Sequence, residues 1–144
     1  MIQTATVKWV DGFTYVGTEP AGHSVVISSG DGKSSVSPTD MVLLAVASCS
    51  AVDVVSILEK KRMPLSSLEI FASGERTAEH PRRFVSIHLE FRASGPGLTE
   101  QALARAIELS ETKYCSVAAS LRGAVDISTS YVISENERAL APAV

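Results

Sequence analysis

The chain has 144 residues, a mass of 15.2 kDa and a formal net charge of −3, which is the size of one domain with a slight acidic excess. Hydrophobic residues make up 45% of the sequence and charged residues 20%, so intrinsic disorder is excluded for the bulk of the chain. The charge balance argues against a nucleic-acid-binding surface, and two cysteines are too few for a disulfide-stapled secreted scaffold. The first residues show no signal-peptide pattern, and we therefore expect a protein of the reducing cytoplasm.

The first third of the chain predicts three strands. Polar and apolar residues alternate over residues 3–9, which is the period of a strand. Asp11-Gly12 is typical of a hairpin turn and is followed by a second strand-like run over 13–16. A third strand is predicted over 23–28, before a glycine-containing turn at 29–32.

A long helix is predicted over 38–62. Ser37 suits the N-cap, Pro38 the first helical position and Asp40 the third. The segment 41–58 is apolar and about long enough to span a membrane, but it contains Asp53, and an unpaired carboxylate is costly in lipid. We therefore expect no membrane partner and interpret the segment as a helix buried at the centre of the protein.

The rest of the chain predicts a mixture of strands and helices. The predicted elements are strands over 67–76 and 84–92, a helix that begins after Thr99, a short helix over 115–122 and a strand over 124–133. The order β-β-β-α-β-β-α-α-β is typical of an α+β fold with mainly antiparallel sheets. We expect a single domain over 1–134 and a flexible tail over 135–144.

The candidate chemistry lies with the two cysteines, because the sequence contains no phosphate-binding loop, no serine nucleophile elbow and no histidines at metal-ligand spacing. Free cysteine is often only a small buried hydrophobe, so an incidental role is a real alternative. Cys115 falls near the start of a predicted helix, which together with Lys113 favours its thiolate. Asp53 lies one helical turn after Cys49 and raises its pKa, so Cys49 is reactive only where a cation or hydrogen-bond donors compensate.

Three stretches resemble the OsmC/Ohr family of osmotically inducible and organic hydroperoxide resistance proteins, and most closely its YhfA-like branch. They are SPTDM at 37–41, ASCSAVDVV at 47–55 and KYCSV at 113–117, and the order of predicted elements agrees over about residues 2–134. The resemblance implies an intertwined homodimer of α+β fold, with one cysteine on the long helix and the other on a second helical region. It also implies a thiol peroxidase that reduces organic hydroperoxides, needs no metal or organic cofactor and is regenerated by an external dithiol.

The resemblance assigns a role to each cysteine by position. Cys49 would be the peroxidatic thiol, and Cys115 the resolving thiol that condenses with the Cys49 sulfenic acid to a disulfide. Family peroxidases also use a glutamate ten residues before the first cysteine, where this chain has Thr39. The nearest acid to that position is Asp40, nine residues before Cys49, although Asp40 already suits the helix cap. Asp40 and Asp53 are both possible supporting residues.

The family's N-terminal arginine also has no counterpart, because no arginine precedes Arg62. The candidates for a compensating cation are Arg82 and Arg83, contributed from the partner subunit, and then Lys33. Two alternatives to a peroxidase stay open at this point. One is a non-catalytic dimer that binds a small molecule, and the other is a thiol-based redox sensor of the same fold.

Overall fold

A computed structural model of the chain describes residues 1–134, so the tail predicted over 135–144 lies outside the described residues. The chain divides into two compact units, residues 1–42 and the residues from Leu43 onward. The boundary between them falls inside helix α1, which spans Pro38–Lys60.

The first unit contains a three-stranded antiparallel sheet. Its strands are β1 (Thr6–Asp11), β2 (Thr14–Thr18) and β3 (Ser24–Ser28), paired in that order. The turn between β1 and β2 places Gly12 at φ +53°, in the left-handed region that favours glycine. The three strands predicted for this part of the chain are therefore confirmed, with small shifts of their ends.

The first turn of α1 is capped as the sequence predicts. The Ser37 hydroxyl accepts a hydrogen bond from the Asp40 backbone N–H at 3.2 Å and donates one to the Asp40 carboxylate at 2.6 Å. Lys33 is paired with the same carboxylate, and together with Ser37 it lowers the pKa of Asp40 to about 2. Asp40 is therefore an ionised capping residue.

Only one face of α1 is buried in the chain. Its buried residues are Val46, Ser50, Val54 and Leu58, which recur every fourth position, whereas Leu44 and Val52 are 55% and 68% exposed. The predicted buried central helix is therefore buried on one face only in the single chain, and apolar composition does not show which face packs. By length and composition alone α1 could cross a membrane, and 22% of its most apolar 18-residue window is buried.

The helix also ends two residues before the predicted end. Arg62 adopts φ +59°, and the Met63 backbone N–H donates to the Leu58 carbonyl at 2.9 Å, which closes the last turn. The left-handed residue breaks the helix, so Pro64 follows the end without causing it.

The second unit contains a mixed three-stranded sheet. Its strands are β4 (Ser67–Arg76), β5 (Phe84–Ser94) and β6 (Asp126–Ile133), paired in that order. The β4–β5 pair is antiparallel, as expected, but the β5–β6 pair is parallel. The expectation of antiparallel sheets is wrong for this pair, because the helical segment between β5 and β6 carries the chain back to the same end of the sheet.

Three helical pieces make this crossover. Helix α2 (Glu100–Leu109) begins after Thr99, whose hydroxyl accepts from the Ala102 backbone N–H at 3.2 Å, so the predicted cap is confirmed. A five-residue π-helix, which we call the π-turn (Ser110–Tyr114), continues from α2. Helix α3 (Ser116–Leu121) follows after Cys115.

The core of the second unit lies on the inward face of β5 and the apolar stripe of α2. Its buried members are Ile87, Leu89, Phe91, Ala93, Ala102, Leu103, Ala106 and Ile107. Near the C-terminal end of β4, Gly74 approaches the Phe84 ring so closely that an added Cβ would lie 2.6 Å from Phe84 Cε1. The aromatic ring therefore occupies the space that a larger residue at Gly74 would need.

Candidate functional site

The two cysteines approach each other from different elements of the second unit. Cys49 lies in the middle of α1 and is half-buried, and its Sγ is 4.0 Å from the Ser116 Oγ. Cys115 joins the π-turn to α3 and is only 3% exposed. Both cysteines are free thiols. The structure therefore brings one accessible and one buried thiol to the start of α3.

The surroundings of Cys49 favour its thiolate. Burial opposes ionisation, but the Val117 backbone N–H, the Cys115 thiol and the Ser116 hydroxyl act in the other direction, and the net result lowers the Cys49 pKa. Asp53 raises the same pKa through its negative charge, as the sequence predicts. In the described part of one chain, hydrogen-bond donors rather than a cation balance Asp53.

Cys115 is held in the opposite state. Burial is the main cause that raises the pKa of this thiol to about 11, although its Sγ accepts a hydrogen bond from the Ala118 backbone N–H at 3.4 Å. The expectation that a helix start and Lys113 favour its thiolate is therefore wrong, because the loss of solvent outweighs one long hydrogen bond. At neutral pH Cys115 is a thiol.

Asp53 has a partner that the sequence does not predict. The Ser110 hydroxyl donates to Asp53 Oδ2 at 2.8 Å and lies 3.0 Å from the Ser50 hydroxyl. Because the single Ser110 proton is given to Asp53, the Ser50 hydroxyl is the donor of the second bond. A chain of three polar side chains thus joins α1 to the first residue of the π-turn.

The other candidate residues lie elsewhere in the chain. Arg83 donates from Nη1 to the carbonyls of Phe84 and Ala124, at 3.2 and 3.1 Å. Arg82 adopts φ +52° in the exposed bend before β5, and its carbonyl accepts from Arg76 Nε at 2.6 Å. Lys33 and Asp40 are paired at the start of α1 and belong to the first unit.

Sequence reasoning missed Ser50, Ser110 and Ser116. The spacing of Ser110 was a detectable signal, because it continues the apolar stripe of α2 after Leu103, Ala106 and Ile107. The structure shows that Ser110 is fully buried, as this spacing indicates. A hydroxyl at such a position needs a buried partner. The π-turn itself left no recognisable pattern in the sequence.

A cavity of about 320 Å³ opens beside the site. Asp53 lies in its wall, together with apolar side chains from Ile57 and Leu109 and the ring of Tyr114, and Lys60 and Lys61 line it as well. Within residues 1–134 no group of three or more histidine, cysteine, aspartate or glutamate side chains is arranged to hold a metal ion. Neither cysteine lines this cavity, which reaches the site only at Asp53, one helical turn from Cys49.

Comparisons with known proteins place the chain among similar sequences and folds. The family model described as OsmC-like protein matches residues 30–130. Protein YhfA of Escherichia coli K12 is 45% identical over 129 residues, which cover 90% of this chain and 96% of that protein.

Two solved structures share the fold. A hypothetical protein from Aquifex aeolicus VF5 superposes with a TM-score of 0.84 at 27% identity, covering 95% of this chain and 99% of that chain. The organic hydroperoxide resistance protein OhrB of Bacillus subtilis superposes with a TM-score of 0.63 at 14% identity, covering 92% and 98%. At that identity the second likeness shows the fold alone.

Proposed function

The chain belongs to the OsmC-like protein family, and from this premise we propose that it is a thiol-dependent peroxidase that reduces organic hydroperoxides. Some structural neighbours are organic hydroperoxide resistance proteins by name. The observation that carries the proposal is the unlike pair of thiols, with an accessible Cys49 of lowered pKa beside a buried Cys115 whose pKa is about 11. A peroxidatic thiol must be ionised and accessible. A resolving thiol must lie near the sulfenic acid, and its proton can pass to the hydroxide that leaves as water while the disulfide forms.

The proposed reaction has three balanced steps. The Cys49 thiolate attacks the terminal oxygen of the hydroperoxide, the O–O bond breaks, and the alkoxide leaves and takes a proton to become the alcohol. The Cys115 thiol then attacks the sulfur of the Cys49 sulfenic acid, which forms the disulfide and releases water. An external dithiol reduces the disulfide and is itself oxidised to a disulfide.

Serine variants of the two cysteines test this proposal. We expect Cys49→Ser to abolish consumption of an organic hydroperoxide, because a serine hydroxyl is far too weakly acidic to replace the thiolate. Cys115→Ser keeps one oxidation but leaves a sulfenic acid that overoxidises at high peroxide. Stopped-flow peroxide consumption and intact-mass spectrometry measure both outcomes, with hydrogen peroxide as the comparison substrate. Peroxide consumption by Cys49→Ser at the unmodified rate would contradict the proposal.

We also propose that the chain works as a homodimer in the cytoplasm, as one OsmC-like domain over 1–134 without metal or organic cofactor. The exposed apolar residues of α1, Leu44 and Val52, support a partner copy, because monomers rarely leave such a face uncovered. In the dimer, Arg82 or Arg83 of one subunit is proposed to add positive charge near Cys49 of the other.

The cavity beside Asp53 favours one second candidate, a non-catalytic dimer that binds a small molecule. A redox sensor with the same two thiols is the related possibility. Titration of free thiols with peroxide separates the two thiol functions from the binding module, which loses no thiols. Turnover with a dithiol then separates the peroxidase from the sensor.

A further inference from the structure

Ser110 connects both cysteine-bearing elements through hydrogen bonds. Its carbonyl accepts from the Cys115 backbone N–H at 2.8 Å, which is the bond that closes the π-turn. Its hydroxyl reaches α1, where it donates to Asp53 at 2.8 Å and accepts from Ser50 at 3.0 Å. Ser50 directly follows Cys49 in α1 and Asp53 lies one turn after Cys49, so both bonds join α1 just after the reactive thiol.

These polar groups are buried next to apolar residues. Ser110 is fully buried and Ser50 is 5% exposed, while the neighbouring stripe of α2 is apolar. A buried hydroxyl is costly unless it is hydrogen-bonded. Two bonded hydroxyls on opposite sides of the contact between α1 and the π-turn therefore fix the geometry of that contact. Small apolar residues in their place would remove the hydrogen bonds that join the π-turn to α1.

From this geometry we propose that Ser110, acting through Asp53 and Ser50, is a positioning residue that fixes the two sulfur atoms relative to each other and thereby controls closure of the Cys49–Cys115 disulfide. The inference rests on the proposed function. It concerns the second step, in which the Cys115 thiol displaces water from the Cys49 sulfenic acid. The first step depends on the Cys49 thiolate, which Val117, Cys115 and Ser116 favour and the Asp53 charge opposes. Ser110→Ala keeps that charge, so we expect it to change the first step less than it changes disulfide closure.

The test measures formation of the Cys49–Cys115 disulfide, which we call closure, with and without peroxide. We equilibrate the full chain with reduced and oxidised glutathione and quantify the Cys49–Cys115 disulfide by trapping and mass spectrometry. Loss of a buried hydrogen bond predicts that Ser110→Ala lowers the equilibrium constant for closure about tenfold. The same variant treated with excess organic hydroperoxide gives more Cys49 sulfinic acid, while the rate of its first oxidation changes less than about twofold.

Variants of Asp53 give a test that does not depend on Ser110→Ala folding. Asp53→Asn keeps an acceptor for the Ser110 hydroxyl, so closure stays within about twofold of the unmodified protein, whereas Asp53→Ala loses closure as Ser110→Ala does. The double variant of Ser110→Ala and Asp53→Ala loses no more than either single variant. Ser120→Ala is the matched control, because its exposed hydroxyl donates only to the Ser116 carbonyl.

The two proposals fail in different ways. An unmodified protein that consumes no organic hydroperoxide overturns the proposed function but leaves the glutathione result intact. Closure in Ser110→Ala or Asp53→Ala equal to that of Asp53→Asn and Ser120→Ala overturns the positioning role, even where peroxide is consumed normally.

Discussion

Asp53 acts on the two thiols in the same direction, but its effect matters most at Cys49. Its negative charge raises the pKa of both sulfur atoms. Cys115 is already protonated because it is buried, whereas Cys49 has its pKa lowered by donors that work against the carboxylate. Asp53 therefore restrains the ionisation of Cys49 while it holds Ser110 in place.

This balance predicts that Asp53→Asn makes Cys49 more reactive. Removal of the charge lowers the Cys49 pKa further, so the thiolate fraction at pH 7 and the rate of alkylation rise, by about two- to fivefold for a half-exposed site. The pH profile of iodoacetamide alkylation, followed at Cys49 by peptide mass spectrometry, measures the shift. At pH 10, where the thiolate dominates in both proteins, the two rates converge.

Glu59→Gln supplies the control for this prediction. It removes the same charge from the same helix at an exposed position beyond Asp53. Equal rates of Cys49 alkylation at pH 7 in Asp53→Asn and Glu59→Gln would show that the Asp53 carboxylate does not affect the Cys49 pKa. Cys115 should be alkylated appreciably only towards pH 11 in all three proteins.

At the scale of elements, the end of the β4–β5 pair depends on close packing at a single glycine. Gly74 in β4 faces the Phe84 ring of β5, and Leu43 at the start of the second unit lies over the same spot, 3.1 Å from the position of an added Cβ. The contact between Gly74 and Phe84 stabilises the end of the β4–β5 pair, where the strand register shifts between Glu75 and Arg76. A side chain at Gly74 would have to displace either the ring or the leucine.

We therefore expect Gly74→Ala to destabilise the protein by about 1–3 kcal/mol, since overpacking forces neighbours out of their preferred rotamers. Urea denaturation followed by circular dichroism measures the change, with Ser73→Ala on the same strand as the control. Phe84→Leu combined with Gly74→Ala should recover part of the loss, because it removes the clashing ring atoms. An equal stability for Gly74→Ala and Ser73→Ala would refute the close packing.

Local signals in the sequence predicted the caps and most strands, because these depend on neighbouring residues. Ser37 and Thr99 were recognisable as N-caps, and β4 was predicted with its observed bounds, Ser67–Arg76. The direction of strand pairing and the packing of helix faces depend on distant parts of the chain and were harder to predict from sequence. The parallel β5–β6 pair follows from the helical crossover between the strands, and α1 is too uniformly apolar for periodicity to reveal its buried face.

The candidate site was accessible from sequence only in part. The two cysteines and the opposing effect of Asp53 could be identified from residue types and helical spacing. The burial that raises the Cys115 pKa and the Ser110 bond to Asp53 depend on the π-turn, whose geometry has no short-range sequence code.

At the scale of the whole molecule, the uncovered apolar face of α1 predicts an assembly of two chains. Light scattering at micromolar concentration should give about twice 15.2 kDa. Leu44→Glu places a charge on this face at a residue that is 55% exposed in the single chain, so we expect it to weaken dimerisation about tenfold or more. Ser120→Glu is the control, because it adds the same charge at an exposed position of α3, and we expect it to leave dimerisation unchanged. A mass that stays near 15.2 kDa for the unmodified protein would refute the dimer.

The π-turn makes the spacing of the chain, and not only its side chains, a determinant of the site. Each residue of a regular helix advances the chain by about 100° around its axis, so the wider turn at Ser110–Tyr114 accommodates one residue more than an α-helical turn would. Loss of one residue between Ser110 and Cys115 would let α2 run on as an ordinary helix. Cys115 would then be rotated by about a quarter of a turn away from Cys49. Relatives of equal composition but one residue shorter here would keep both thiols and lose their pairing.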